Sequence, residues 1–258
     1  MDYKSKIILI AGPTASGKSK IAVNLAKKIN GEIVNADSMQ VYKQLKILTA
    51  RPTGEDRKNI KHYLFGIIDV RKRFSTGQWL KECTKTINLI RKRKNVPIIV
   101  GGTGLYFKAL VDGLVRIPKF KSSDKNKILK LHNKLGQNQF YKKLIKLDPI
   151  SKKFVNPNDV NRSIRAYEVK KLTKKSLYKW FNETETYFDK NDFVMTYVDY
   201  PRDKLIINIK KRIDRMFDLG AIKEVRKFNL IKIKKLNSVN HVIGIKEINA
   251  YLSKKAEL

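Results

Sequence analysis

Apolar residues in this chain come either in short unbroken runs or at every third or fourth position, the patterns of buried strands and amphipathic helices. Ile7–Ile10 is the first run. Ile21, Leu25 and Ala26 then recur at helical spacing up to Asn30-Gly31, which predicts one helix. Glu32–Ala36 reads as a second short strand and His62–Asp69 as another buried one. Phe74–Trp79 has the residues of a helix start, and that helix runs through Leu80, Ile87 and Ile90 to the basic turn Arg91–Asn95. Val96–Val100 is the best strand, apolar and β-branched apart from Pro97, and Gly101-Gly102-Thr103-Gly104 ends it. An apolar helix over Leu105–Leu114 follows. Two strand–glycine–helix units with strands between them predict an α/β fold: a parallel sheet, of the P-loop NTPase-like kind, flanked by helices on both faces.

The pattern changes at about Arg116. Residues 116–189 are lysine-rich, with helical spacing at Ile128, Leu131 and Leu135 and again at Phe140, Leu144 and Leu147. Breaks fall at Gly136, Asp148-Pro149 and Asn156–Asp159. This stretch is expected to be a small helical domain inserted into a sheet domain made of 1–115 and 190–258. Phe193–Asp199 is expected to supply a last strand. Arg202–Phe228 reads as a helix or helix pair, with Ile206, Ile209, Ile213 and Met216 at heptad-like spacing and Gly220 marking a turn. His241–Glu247 and a short helix close the chain.

Composition narrows the classes. The 258 residues, 42% of them hydrophobic, are enough for one large domain or a core with an insertion. A single cysteine, Cys83, excludes an internal disulfide framework and a cysteine-based zinc site, and reads as a small buried apolar residue. No apolar run approaches the ~18 residues of a membrane span, and Ile7–Ala11 is too short for a signal peptide. A cytoplasmic location is expected. With 57 Lys+Arg against 23 Asp+Glu the net charge is +34, which points to a polyanionic partner, nucleic acid ahead of a membrane surface. The competing reading is a compositional bias towards Lys, Ile and Asn, with many lysines as solvated filler.

The chemistry begins at Gly12–Ser19. Gly12, Pro13, Thr14, Ala15, Ser16, Gly17, Lys18 and Ser19 fit the phosphate-loop template G-x-x-x-x-G-K-[ST] in full, after a strand and before a helix. Backbone N–H groups and a helix N-terminus then point at an anion, Lys18 places a charge on distal phosphates, and Ser19 offers its hydroxyl to Mg²⁺. Taken alone, the loop suggests an ATP or GTP site. A hydrolytic phosphate-loop machine usually ends one strand in an Mg²⁺-directing Asp, yet the best strand here ends in Gly-Gly-Thr. Asp37 and Asp69 are the strand-end acids on offer. Asp37 stands at the carboxyl end of a strand beside the loop, where open α/β sheets carry their chemistry, and could otherwise cap the following turn. Asn161 and Arg165 share a helix face behind Asp159, which either suits phosphates and base edges or is a solvated surface.

Together GPTASGKS, DSMQVYK (37–43), TARPT (49–53), VGGTGLYFKALVDGL (100–114), NPNDVNRSIRAYEV (156–169), RIDRM (212–216) and GIKE (244–247) make the chain similar to the tRNA dimethylallyltransferases over nearly its whole length. The resemblance implies transfer of a dimethylallyl group from its diphosphate to N6 of the adenosine immediately 3′ to the anticodon, in tRNAs reading codons that begin with U. It implies a phosphate loop that holds a prenyl diphosphate with Mg²⁺, Asp37 as general base, and Thr103 and Arg212 acting on the diphosphate. It assigns the extruded base to Asp37, Ser38, Met39, Gln40 and Thr103. It assigns further tRNA contacts to Lys125, Asn161, Arg162, Ser163, Ile164 and Arg165. The partners it implies are the tRNA anticodon stem-loop and dimethylallyl diphosphate, with the enzyme working as a monomer.

The chain departs from the family at three places. Asn208 stands where an Arg is usual, and Leu172-Thr173-Lys174 replaces the usual Thr-Gly pair. The family generally continues past Gly-x-x-Glu into a basic helix, whereas this sequence stops at Leu258. The rival readings are an adenylate isopentenyltransferase acting on a free nucleotide, a small-molecule kinase, and a catalytically impaired RNA-binding relative. The basic insertion argues against the first and the DSMQ and GGTG segments against the second.

Overall fold

The apolar runs become parallel strands, and the three at the centre of the sheet, Ile7–Ala11, Gly31–Asn35 and Val96–Gly101, are buried beneath the helices almost throughout. The computed structural model describes Tyr3 and residues 5–233 and 237–255. The strands are β1 (Ile7–Ala11), β2 (Gly31–Asn35), β3 (His62–Tyr63), β4 (Val96–Gly101) and β5 (Phe193–Tyr197), all parallel, in the order β3-β2-β4-β1-β5. This order sets the carboxyl ends of β2, β4 and β1 side by side, so that Asp37, Gly101–Thr103 and the phosphate loop emerge together. The glycine at the end of β4 is compulsory, since a Cβ on Gly101 would stand 2.1 Å from the carbonyl oxygen of Ala36.

The helices are α1 (Lys18–Ile29), α2 (Gly54–Arg57), α3 (Thr76–Lys92), α4 (Gly104–Val111), α5 (Ser122–Leu147), α6 (Val160–Thr173), α7 (Leu177–Trp180), α8 (Arg202–Asp218), α9 (Ala221–Asn229) and α10 (Ile245–Leu252). The chain divides into two compact units, one formed by Met1–Val111 with Tyr187–Leu258, the other by Asp112–Thr186. In the first, α1 packs on β2 and β4 through Ala22, Val23 and Ala26, while α3 buries Trp79, Leu80, Ile87 and Ile90. A separate cluster joins Val41, Tyr42 and Leu45 to Phe228, Val239, Val242 and Ile245. In the second unit α5 and α6 enclose Ile128, Phe140, Leu144, Ala166 and Tyr167. Buried Asp148 there accepts hydrogen bonds from Ser151 and Ser176 at 2.9 and 2.8 Å.

The structure departs from the pattern reading in places with identifiable causes. His62–Asp69 is a two-residue strand followed by a loop, because Leu64 (φ 63°) and Gly66 (φ 60°) both take left-handed backbone that no strand tolerates. Asp69 is accordingly no strand-end acid. It accepts from Gln44 and Arg71, and the Arg71 guanidinium holds its carboxyl far below the usual range. On α1 the buried stripe is Ala22, Val23 and Ala26, and Ile21 is 45% exposed. Helix α4 ends at Val111, short of the expected Leu114, whereas the expected break at Gly136 is present: Gly136 takes non-helical backbone (φ 71°, ψ 167°) and divides α5 into two helical segments. Of the heptad-like residues of α8 none is fully buried: Ile206 and Ile213 are exposed, and Met216 packs partly buried against Ala221, Val225 and Ile248. The phosphate-loop lysine Lys18 and the helix-capping Asp159 fall where the pattern put them, at the start of α1 and as the cap of α6, with Asp159 accepting from the Arg162 amide at 2.9 Å.

Candidate functional site

The phosphate loop leaves β1 at Gly12 and turns into α1 through Gly17, whose φ of 80° only glycine takes without strain. The first-turn amides of α1 receive no side-chain cap, so the N-terminal end of the helix remains open towards an anion. Lys18 Nζ donates 2.9 Å to the Pro13 carbonyl, which folds its side chain back across the loop. Ser19 is exposed and lines both cavities found at this end of the sheet.

Those cavities are an outer one of about 640 Å³ and an inner one of about 70 Å³. Lys18, Ser19 and Arg212 are common to both. The inner cavity adds Asp37 and Gln40 together with apolar Ala22, Ile33, Phe65 and Val100. Burial lowers the pKa of Lys18, partly opposed by the charge of Asp37 and reinforced by Arg212. Burial likewise lowers the pKa of Arg212, again opposed by Asp37. Two desolvated cations therefore share one carboxylate, an excess of positive charge that an anion would relieve. Arg212, on α8, reaches Thr14 Oγ1 at 3.4 Å, and Asn208 one turn earlier donates to the Ala15 carbonyl at 3.3 Å.

Asp37 is fixed from several sides. Its amide donates to Asn35 Oδ1 at 2.9 Å, and Asn35 Nδ2 donates to the Asp37 carbonyl at 2.9 Å. Its own Oδ1 accepts from the amides of Met39 and Gln40 at 2.8 and 3.3 Å. One carboxylate oxygen is thus engaged by the turn, and Oδ2 is not part of that contact. The capping role weighed for Asp37 is therefore present, and it falls on Oδ1. Thr103 uses its hydroxyl to accept from the Ser38 amide, and Gln40 donates both N–H groups of its side chain to the carbonyls of Thr49 and Ala50.

Asn35, His62, Ala50 and Tyr106 stand at the site although the motif reading gave them no role, Ala50 and Tyr106 lying inside quoted motifs. Asn35 is fully buried at the end of β2 and is locked by Trp79, whose indole donates to its carbonyl at 2.8 Å. Only its place two residues before Asp37 could have drawn notice. His62 and Ala50 line both cavities; burial lowers the pKa of His62, whose Nδ1 lies 2.8 Å from the Ile60 carbonyl. Tyr106 stacks on Trp79 at 4.2 Å, and burial, with Tyr42 and Asp37 nearby, raises its pKa.

The expected tRNA contacts of the second unit are not alike. Lys125, Asn161 and Arg162 are exposed. Ser163 is fully buried and accepts from Gln137 at 3.1 Å, so it supports the helix pair and offers nothing to the surface. Ile164 packs against the core of that unit. Arg165 is half-buried, paired with Glu168 at 2.6 Å and lying over the Phe120 ring. No group of three or more His, Cys, Asp or Glu among the described residues could hold a metal ion. No described helix is long and apolar enough to cross a membrane.

Comparison with known proteins matches residues 40–258 to the family model described as IPP transferase. The chain is 55% identical over its full length to a tRNA dimethylallyltransferase of Pelagibacter ubique, covering 82% of that protein. It is 35% identical over 98% of its length to one of Ehrlichia canis, covering 84% of it. Among solved structures it is similar to a eukaryotic dimethylallyltransferase acting on tRNA, with a TM-score of 0.82 and 31% identity over 97% of this chain and 64% of that one. It is also similar to the tRNA isopentenylpyrophosphate transferase of Bacillus halodurans, with a TM-score of 0.67 and 34% identity over 98% of this chain and 79% of that one.

Proposed function

This chain belongs to the IPP transferase family, and from that premise we propose how its residues carry the transfer of a dimethylallyl group from dimethylallyl diphosphate to N6 of an adenosine in tRNA. The observation that carries the reading is the meeting of Lys18, Arg212 and Asp37 at one cavity, two desolvated cations against one carboxylate. A kinase needs a phosphoryl acceptor and an Mg²⁺-directing acid. Here Asp37 lines the inner cavity beside Lys18 and Arg212, and β4 ends in glycine.

The diphosphate sits on the phosphate loop, against the open end of α1, with Lys18 and Arg212 on its oxygens. The prenyl carbons lie along Ala22, Ile33, Phe65 and Val100, the apolar part of the inner cavity. The adenosine immediately 3′ to the anticodon leaves its stack to bring N6 to Asp37, because a base inside a stacked loop cannot reach a recessed carboxylate. The N6 lone pair forms a bond to C1 of the allyl group as the C1–O bond breaks, and that electron pair leaves on the diphosphate. Asp37 Oδ2 takes the N6 proton, while Oδ1 stays bonded to the turn. Lys18 and Arg212 neutralise the charge that builds on the leaving oxygen, and being desolvated they do so without reorganising water. Ser19, exposed at both cavities, would offer its hydroxyl to a magnesium ion, a cation that needs few protein ligands where phosphates are present. Bound there, Mg²⁺ would supply further charge to the leaving group. The exposed Lys125, Asn161 and Arg162 contribute phosphate contacts to the tRNA anticodon stem-loop.

The test is incubation of the purified chain with unmodified tRNA, dimethylallyl diphosphate and Mg²⁺ at low salt, followed by nucleoside analysis. N6-dimethylallyladenosine next to the anticodon is expected from tRNAs reading U-initial codons. Its absence from every tRNA offered would overturn the reading, and product from free adenine nucleotide alone would favour the adenylate-directed alternative.

A further inference from the structure

A carboxylate far from the phosphate loop is bound to the same corner of the molecule. Glu224, in the first turn of α9, accepts hydrogen bonds from three consecutive amides: Lys46 at 2.7 Å and Ile47 at 2.8 Å to Oε1, and Leu48 at 2.9 Å to Oε2. Three successive N–H groups converging on one anion form a backbone nest, and no residue between 45 and 51 supplies the anion. The next two residues of that loop, Thr49 and Ala50, present the carbonyls that receive the Gln40 side-chain amide at 2.8 and 3.2 Å. Gln40 lines the inner cavity beside Asp37.

Two consequences follow. With both N–H groups facing carbonyls, the Gln40 amide has a single acceptable orientation, and its Oε1 is what it has left to offer a ligand. Ala50 carries a left-handed φ of 45°, a conformation that a residue with a Cβ keeps only where its surroundings over-determine it. Those surroundings are the Glu224 nest on one side and, on the other, Arg51, which donates to the Tyr42 and Lys43 carbonyls at 3.1 and 3.3 Å. Glu224 itself lines a separate shallow groove with Leu219, Lys223 and Phe228 and lies outside both cavities at the phosphate loop.

We propose that Glu224 is a positioning residue: by holding loop 46–50 it fixes Gln40 with its carbonyl oxygen turned to the substrate base, acting on recognition of the adenosine and not on the diphosphate. The inference rests on the transferase reading above. An oxygen acceptor at that place suits a donor such as the exocyclic amine of adenine and disfavours a base that presents a carbonyl there.

The experiment uses the full chain with Glu224→Ala, Glu224→Gln, Gln40→Ala and the Glu224→Ala/Gln40→Ala double variant. Glu224→Ala should lower kcat/KM for tRNA about 10- to 100-fold, with KM for dimethylallyl diphosphate unchanged within about two-fold. Glu224→Gln keeps one acceptor oxygen and should recover most of the loss. The double variant should lose little beyond the worse single one, since both act through one contact. Amide hydrogen exchange should quicken at residues 46–50 in Glu224→Ala and leave α1 untouched. Additive losses, an equal rise in both KM values, or unchanged exchange at 46–50 would each overturn the proposal. If Glu224→Ala does not fold, Glu224→Gln carries the same comparisons with smaller effects. If the wild-type chain modifies no tRNA, the transferase reading fails, and exchange at 46–50 with the side-chain amide signal of Gln40 still decides whether Glu224 holds Gln40.

Discussion

The hydroxyl oxygen of Thr103 stands 3.0 Å from the amide nitrogen of Ser38 and accepts its hydrogen, joining the turn after β4 to the turn after β2 across 65 residues of chain. The same hydroxyl lies 3.3 Å from Ser38 Oγ. Thr103 thereby holds the first residue of the turn whose amides grip Asp37 Oδ1. Thr103→Val keeps the shape and removes the acceptor, leaving a part-buried amide unpaired at a cost of about 1–3 kcal/mol. Turnover should fall with a modest loss of thermal stability, and Thr103→Ser should restore both. Turnover in Thr103→Val equal to wild type, measured by single-turnover transfer to tRNA, would show that the contact does not position Asp37.

Asp37→Asn separates the two oxygens of the carboxylate. The asparagine Oδ1 can still accept from the Met39 and Gln40 amides, so the turn is kept, but the side chain can no longer take a proton. A positioned base is worth about 10²–10⁴ in rate, and kcat should drop by that factor while tRNA and dimethylallyl diphosphate bind nearly as before. Binding of tRNA lost in step with rate would make Asp37 a recognition residue.

The phosphate loop, Asp37 and the Gly-Gly-Thr turn were legible because each is a strand end carrying residues of restricted use: Gly17 takes a left-handed φ, and Gly101 has no room for a Cβ. The strands β1 and β4 were legible from unbroken apolar runs. Periodicity reports which residues face inward only when the partner surface is known, which is why Ile21 on α1 and Ile206 and Ile213 on α8 share the helical spacing of buried residues yet stand exposed. The stretch after Tyr63 carries strand-like residues, but Leu64 and Gly66 turn the chain, and no composition rule marks a leucine as left-handed. Glu224 and Asn35 were out of reach for another reason. Their importance lies in backbone amides and carbonyls, which every sequence has and which only the fold brings within 3 Å of a particular side chain.

Lys18 sets a pH signature. Its pKa is lowered chiefly by burial, so in the free protein it gives up its proton below the usual lysine range. Through that window the folded chain binds fewer protons than the unfolded one, and the stability of the ligand-free protein should rise with pH. Diphosphate reverses the sign, because it favours the charged amine. Affinity for dimethylallyl diphosphate, followed by calorimetry, should therefore fall as pH rises through the lowered pKa, with proton uptake on binding. In Lys18→Arg the charge stays fixed and the alkaline fall should flatten. An unaltered fall in that variant would assign the titration to another group.

The helix α6 ends in a residue that the backbone does not favour. Lys174 closes it at φ 61° and ψ −5°, with its amide bonded to the Lys170 carbonyl, a left-handed cap that glycine adopts freely. This is the position at which the resemblance leads one to expect the Gly of a Thr-Gly pair. Thr173 keeps its part, donating its hydroxyl to the Val169 carbonyl at 2.8 Å and accepting from the Trp180 indole at 3.2 Å. Left-handed backbone costs a residue with a Cβ about 1–2 kcal/mol, of which glycine's extra freedom in the unfolded chain returns a part. Lys174→Gly should therefore stabilise the last turns of α6 by about 1 kcal/mol. Native-state hydrogen exchange of the amides from Val169 to Lys175 reads this directly, with slower exchange expected there and none of the change in α1. Exchange that is unchanged or faster in the variant would mean that the Lys170 side chain, which donates to the Lys174 carbonyl at 3.0 Å, or the Lys174 stem already offsets the strain of the cap.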